Sequence, residues 1–416
     1  MTYLLLSTIG FITNWICLRK RRLEYAIVAS FIYLFAFVYI QSFDILFIIY
    51  LFFIFVIHIK DFRKMHAMYL VFLLYIAAEF GLGLLNGNYR SIIATFLTRY
   101  FPLIFAALID KKKSILSKWD DEYEQRILRL IVLCEVIISA LLIIKGGNEE
   151  IFVVSHQPVG ANLSLVGSFI AMDISLKPGN QKLAHKIENI VYLGLFSLLA
   201  LISGIRGYII IIIPCAFYSF ISYVFGESKR AFGLILAIAM SVWIIMISFL
   251  ADGRLANMLI SLDTSTGYRK IENRYILEAL SNANPIRWIV GYGIGATGRR
   301  IGSDALIGFY AGQSVFYTHH LTYGSVLLNF WLSVFKDMGL VGLVIMAKMF
   351  FGLIPKRTIG NRSRRVGWIL YLVLYAFMLL FRTSCTNSLI ELYTCSLIMN
   401  NPVFAGANYK LENGEA

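Results

Sequence analysis

Long, nearly uncharged apolar runs recur from the first residues to about position 382, parted by short polar turns. A helix rises about 1.5 Å per residue and a bilayer's hydrocarbon core is about 30 Å thick, so about 20 apolar residues suffice to cross it. Runs of roughly that length fall at 2–18, 24–41, 43–59, 67–86, 91–109, 127–145, 160–176, 189–205, 208–225, 232–250, 338–354 and 367–382. The chain of 416 residues is 59% hydrophobic and only 15% charged, far from the balance of a water-soluble domain. Disordered, collagen-like, coiled-coil and ordinary cytosolic folds are thereby excluded. A transmembrane barrel would show ten-residue alternating segments rather than continuous runs. The expected fold is an all-α polytopic integral membrane protein with about twelve transmembrane helices and one large external loop. The first run has no basic residue before it and no small-residue cleavage site, so it does not read as a signal peptide.

The net charge of +14 would suggest a nucleic-acid partner in a soluble protein. Here it follows the positive-inside rule. Basic clusters at Arg19–Arg22, Lys60–Lys64, Lys111–Arg129, Lys177–Lys186, Lys229–Arg230 and Lys356–Arg365 hold more than half of the 38 Lys and Arg residues. The alternate short loops, around Ser42, Asn88 and Gly147, hold almost none. The basic set is therefore cytoplasmic, and no nucleic-acid role is implied. Five cysteines make no disulfide framework. Cys17, Cys134 and Cys215 lie in apolar runs as small core side chains, whereas Cys385 and Cys395 lie nearer a membrane face. No metal-ligand spacing appears, and no cofactor is called for.

Three regions follow: membrane helices over 1–250, a large external loop with an interfacial helix over 251–337, and membrane helices with a tail over 338–416. Residues 321–335 are apolar but short and are followed by Lys336 and Asp337, which reads as a helix lying at the outer interface. The tail holds one more short apolar run, 388–399. The loop carries Arg254, Arg269, Lys270, Arg274, Arg287, Arg299 and Arg300 on the face where short loops avoid cations. Arginine's planar fork suits phosphate, so the cluster points to an anionic ligand. Arg206 stands between two apolar runs at the external boundary, where a charge is costly and usually functional. Glu79, Glu135 and Asp173 fall inside or near spans and read as members of structural pairs, with a buried cation such as Arg99 as partner. Within NPIRWIVGYGIGATG, Gly291, Gly293 and Gly295 let the backbone turn tightly or approach a ligand closely. A lone GxGxG without strand–helix alternation is weak evidence for a nucleotide. His319 and His320 close the loop and are candidates for a general base or a phosphate contact.

In three places the chain resembles the O-antigen polymerase and O-antigen ligase superfamily of bacterial membrane proteins. SGIRGYIIIIIP resembles the family's small-polar-x-Arg start of a span and sets Arg206 on its functional arginine. GYRKIENRYILEALSNANPIRWIVGYGIG resembles a loop of Arg, apolar helix, Asn-Pro and Gly-x-Gly, in which Arg269 and Arg274 compete for the second arginine. LNFWLSVFKDMGLVGL resembles a His-Asn…acid-x-Gly-Leu-x-Gly-Leu segment: Asn329, Asp337, Gly339 and Gly342 fit, and Leu328 replaces the family's His. These matches cover about residues 200–345, and the N-terminal half matches in hydropathy alone.

The resemblance implies glycosyl transfer from undecaprenyl-diphosphate-linked oligosaccharides at the outer face of the bacterial inner membrane. The residues implied are Arg206 with Arg269 or Arg274 at the leaving diphosphate, and His319 or His320, or else Glu272 or Glu278, as base. Arg287, Gly291, Gly293, Gly295, Arg299, Arg300 and Asn329 would line the substrate site. Membrane lipids, a chain-length regulator and a flippase are the implied partners. A ligase moving finished polymer to lipid A core is the nearest alternative. A flippase or transporter of lipid-linked glycans is the other, and it should place its key charges among the spans.

Overall fold

A computed structural model describes residues 67–86, 89–96, 100, 121–144, 159–176, 183–203, 206–225, 230–250, 281, 283–296, 330–352 and 362–379, with Leu5, Thr8, Ile9, Ile12 and Ile16. The described residues are almost entirely helical. Ten helices are α1 (Ala67–Asn86), α2 (Tyr89–Thr95), α3 (Asp121–Ile144), α4 (Val159–Ser175), α5 (Leu183–Ser203), α6 (Arg206–Phe225), α7 (Arg230–Leu250), α8 (Pro285–Val290), α9 (Phe330–Gly352) and α10 (Arg362–Met378). Stretches Leu183–Leu201, Tyr208–Phe225 and Phe330–Lys348 are long and apolar enough to cross a membrane. Leu70–Leu85, Ser164–Ser175 and Phe232–Trp243 are shorter apolar helices. This is a membrane protein by the character of its helices. Val71, Leu74, Leu85, Val191, Ile235, Trp243 and Val344 stand exposed on them, as lipid-facing side chains do.

Helices α3 to α7 and α10 pack into one bundle with α4 at its centre. From Ser164 to Ile174 every residue of α4 is buried, whatever its polarity. Such all-round burial requires neighbours on every side, and α3, α5, α6 and α10 supply them. Small residues allow the closest approaches: a Cβ added at Gly167 would strike the Phe196 ring and approach Ile131 Cγ2 at 3.0 Å. Helix α6 contains Pro214, which lacks the amide that would bond one turn back. Membrane helices tolerate such a loss because neighbours restore the freed groups.

The polar groups of this bundle pair across helices. Asp173 of α4 accepts from Arg364 Nε and Nη2, both at 2.5 Å, and from the Trp368 indole at 2.7 Å. All three side chains are buried. Phe169 meets the Trp368 ring edge-on at 4.2 Å, and Tyr218 Oη donates to Ser363 O at 3.0 Å. Gln125 Nε2 donates to Asn189 Oδ1 at 2.9 Å between α3 and α5. Arg129 grips Glu188 with two hydrogen bonds at 2.7 and 2.8 Å, and Tyr192 donates to the same carboxylate. Glu135 is fully buried, with Ser164 of α4 beside its carboxylate.

Two sequence expectations change here. Asp173 does form a structural pair, but its cation is Arg364; Arg99 lies outside the described residues. The sequence puts Arg364 in a cytoplasmic basic loop, yet α10 begins at Arg362 and carries it into the core, where Asp173 neutralises it. The helix therefore starts ahead of the apolar run at 367. Helix α9 likewise starts at Phe330, ahead of the expected span at 338. Lys336 and Asp337, read as a polar edge beyond an interfacial helix, lie buried within it. The run 388–399, Cys385 and Cys395 lie outside the described residues.

Removing one partner of a buried pair strands the other charge, at about 3 to 5 kcal/mol. Arg364→Met should therefore lower the unfolding temperature of the detergent-solubilised protein strongly. Asp173→Leu combined with Arg364→Met should recover most of that loss in the same thermal scan.

Candidate functional site

The site is built around a break in a helix. At Gly339 the α9 backbone takes φ 61°, ψ −161°, which no helix contains. A break of this kind removes the regular pairing of the preceding carbonyls with amides one turn ahead. Three other groups meet those carbonyls. Tyr292 N donates to Lys336 O at 2.9 Å, and Gly293 N donates to Asp337 O at 2.9 Å. Tyr75 Oη of α1 donates to Met338 O at 2.6 Å. Buried main-chain groups must be satisfied, and here a loop and a distant helix do it.

That loop is the glycine-rich segment after α8. Asn284 caps α8, its Oδ1 accepting from Ile286 N at 3.0 Å, and Pro285 takes the first turn where its missing amide costs nothing. The helix stops at Gly291, whose φ of 81° is closed to most side chains. Residues Gly291 to Ala296 are all buried. The sequence expects these glycines to allow a tight turn or a close approach to a ligand; the structure shows Gly291 and Gly293 closely approaching the chain's own backbone. A Cβ on Gly291 would lie 2.6 Å from Asp337 C and O. One on Gly293, at φ 96°, would strike the main chain of Gly83 in α1, and one on Gly83 would strike Ile294 O. Ile294 N also donates to Glu79 O at 3.0 Å. The loop is thus sewn by main chain to both α1 and α9.

Four ionisable side chains gather at this junction. Lys336 Nζ donates to Ala296 O at 2.7 Å and lies 3.0 Å from Asp337 Oδ1. Tyr100 Oη donates to Asp337 Oδ2 at 3.0 Å. Glu79 is buried near the charges of Asp337 and Arg287, and its Oε2 has no hydrogen-bond partner among the described residues. Arg287 Nη1 donates to Gly291 O at 3.2 Å, and its guanidinium sits 5.6 Å from the centre of the Tyr292 ring. Burial pushes the Tyr292 phenol above its ordinary value while the nearby Arg287 charge pulls it down. Trp288 packs edge-on against Phe335 at 5.6 Å, and the Trp331 indole ties α9 to Ala376 O of α10 at 2.9 Å. Formally, two acids face two bases. A balanced cluster of this kind orders main chain and polarises whatever lies beside it.

Of the sequence-derived candidates, the structure brings together Arg287, Gly291, Gly293 and Gly295 with Asp337 and Gly339. Arg206 is the first residue of α6, just ahead of an apolar stretch that begins at Tyr208. Arg269, Glu272, Arg274, Glu278, Arg299, Arg300, His319, His320 and Asn329 lie outside the described residues. Arg287, taken for a phosphate ligand, bonds the loop's own main chain and covers Tyr292. Sequence reasoning missed Lys336, Tyr75, Tyr100 and Gly83 as parts of one site. A signal for the first was present, since FKDMG sets two charges beside a glycine within an apolar stretch. No sequence signal singled out the tyrosines. Among the described residues no group of His, Cys, Asp and Glu is placed to hold a metal ion.

Comparison with known protein families and with curated proteins finds no match to this chain.

The glycines give a direct test of the main-chain stitching. Gly293→Ala puts a side chain into Gly83 at an unfavourable φ and should cost at least about 1 to 3 kcal/mol. Gly81→Ala, two residues from Gly83 and facing open space, should leave thermal stability nearly unchanged. Equal melting temperatures for the two variants would show that the loop does not sit where described.

Proposed function

We propose that the chain is a bacterial inner-membrane polymerase with about twelve transmembrane helices. It joins undecaprenyl-diphosphate-linked oligosaccharide repeat units into surface polysaccharide, O-antigen or capsule, by glycosyl transfer at the outer face. The observation that carries this reading is the meeting of two of the three stretches in which the resemblance lies. Gly291–Ala296 of the loop seats on Lys336–Gly339 of α9, although more than forty positions separate them in sequence. The third stretch supplies Arg206 at the head of α6.

In this mechanism the growing lipid-linked chain is the donor and the terminal sugar of a new repeat unit is the acceptor. The acceptor hydroxyl attacks the anomeric carbon, the bond to the lipid diphosphate breaks, and the hydroxyl proton passes to a base. Charge grows on the diphosphate as the bond breaks, so cations fixed there favour the transition state over the ground state. Arg206, with Arg269 or Arg274, takes that role. His319 or His320, or Glu272 or Glu278, takes the proton. Arg299, Arg300 and Asn329 join the substrate-binding residues. No cofactor enters the reaction. The partners are the lipid-linked substrates, surrounding lipids, and a flippase and chain-length regulator working on the same polymer.

One observation favours a second reading, a transporter of lipid-linked glycans. Glu79, Glu135, Lys336 and Asp337 are buried along helices rather than displayed on a loop, which is where a transport pathway keeps its charges. A ligase has no comparable observation in its favour.

A deletion strain separates these readings on a gel of surface polysaccharide and lipid-linked intermediates. A polymerase predicts loss of the ladder with single repeat units retained at the outer face. Single units trapped on the cytoplasmic side would indicate the transporter, and long chains stranded on the lipid carrier would indicate a ligase. Arg206→Ala should insert normally yet fail to restore the ladder; a full ladder from that variant would remove Arg206 from the mechanism.

A further inference from the structure

Lys336 is buried, follows less than two turns of mostly apolar helix, and directs its ammonium to the main chain of a loop that precedes it by forty residues. Burying a lysine is costly, so its surroundings must repay the lost hydration. They do so with oxygen: the Ala296 carbonyl at 2.7 Å and the Asp337 carboxylate at 3.0 Å. The first half of α9 also ends here, before Gly339, and a helix's C-terminal end carries partial negative charge. Glu79 adds a second buried acid near Asp337. Carbonyl oxygen, carboxylate and the C-terminal end of a broken helix are the elements from which membrane proteins build sites for small monovalent cations. In this chain a side chain occupies that position.

We propose that Lys336 is a tethered cation: its ammonium fills a built-in monovalent-cation site at the break in α9, and that charge holds the glycine-rich loop in place. Neighbouring residues on a regular helix point about 100° apart and do not pair. The Lys336–Asp337 contact therefore belongs to this junction and is not an ordinary helix-surface pair. The lysine acts through the loop, as a positioning residue. Two properties follow. The wild-type loop needs no dissolved ion to seat. Cutting the side chain off should leave a site that a small primary alkylammonium ion can enter.

The test uses purified full-length protein in detergent, with ethylammonium chloride as probe and sodium chloride or tetraethylammonium chloride at equal ionic strength as controls. Lys336→Ala should melt several degrees below wild type. Ethylammonium should raise that melting temperature saturably, sodium less and tetraethylammonium not at all. Wild type should not respond to ethylammonium beyond the sodium control. Lys336→Ala combined with Asp337→Asn should melt above Lys336→Ala alone and lose the ethylammonium response, because the acid that needs a cation is gone. Should Lys336→Ala fail to fold, Lys336→Ser, which leaves the same space vacant, is measured in its place. No selective ethylammonium effect on the folded variant, or an equal effect on wild type, would overturn the proposal.

The activity arm depends on the polymerase reading, and the melting arm does not. Expressed in the deletion strain, Lys336→Ala should give a shortened or absent ladder and Lys336→Arg a partial one. Selective ethylammonium stabilisation with an unaltered ladder would overturn the role of the loop's position in chain growth and leave the cation site standing.

Discussion

Main-chain polar groups removed from water must find partners, and in a membrane water cannot supply them. The rest of the arrangement around α9 depends on how the break at Gly339 meets this demand. A break leaves carbonyls open, and each of the three preceding Gly339 has a donor: two loop amides and the Tyr75 hydroxyl. The loop reaches those carbonyls only because it has no side chains at Gly291 and Gly293, and α1 reaches the loop only because it has none at Gly83. Positive φ at three loop glycines and at Gly339 belongs to the same solution. The charges then settle around a main-chain scaffold that is already closed.

The six-helix bundle solves a different problem by a different means. Its central helix is buried on every side, so polar side chains on it need partners from neighbouring helices. Asp173 takes Arg364 and Trp368, and Ser168 turns its hydroxyl back to Leu165 O at 2.8 Å. Glu135 of α3 is enclosed against the central helix beside Ser164. Helix packing in lipid gains little from the hydrophobic effect, so small residues and such polar links carry the specificity of contact. The Trp331 indole, reaching Ala376 O, links this bundle to the broken helix.

Much of the helical layout was legible in the sequence, and much of the site was not, for one physical reason. Apolar runs announce helices because length and hydropathy are local properties. Helix α1 occupies Ala67–Asn86, the range its apolar run predicts, and α6 and α7 begin within two residues of theirs. The starts of α9 and α10 were set too late because charge was taken to mark an edge. Lys336, Asp337 and Arg364 stay inside their helices because residues far away in sequence neutralise or bond them, and a local reading sees no partner. The glycines of GYGIG were legible as close-approach positions, whereas the surface they approach was not. Glu79 was noted as a buried acid, but its placement beside Asp337 required the fold.

The junction of α1 with α9 also bears on how the chain is made. Tyr75 and its acceptor Met338 are 263 residues apart. Helix α1 is synthesised well before α9, so Tyr75 and Glu79 leave the ribosome while their neighbours in α9 are still to come. The arrival of Met338 and Asp337 then supplies the carbonyl that Tyr75 bonds and the acid beside Glu79. A chain that stops before α9 would leave the Tyr75 hydroxyl without the Met338 carbonyl and the glycine-rich loop without its seat, so the fit of α1 is completed only by a segment made much later.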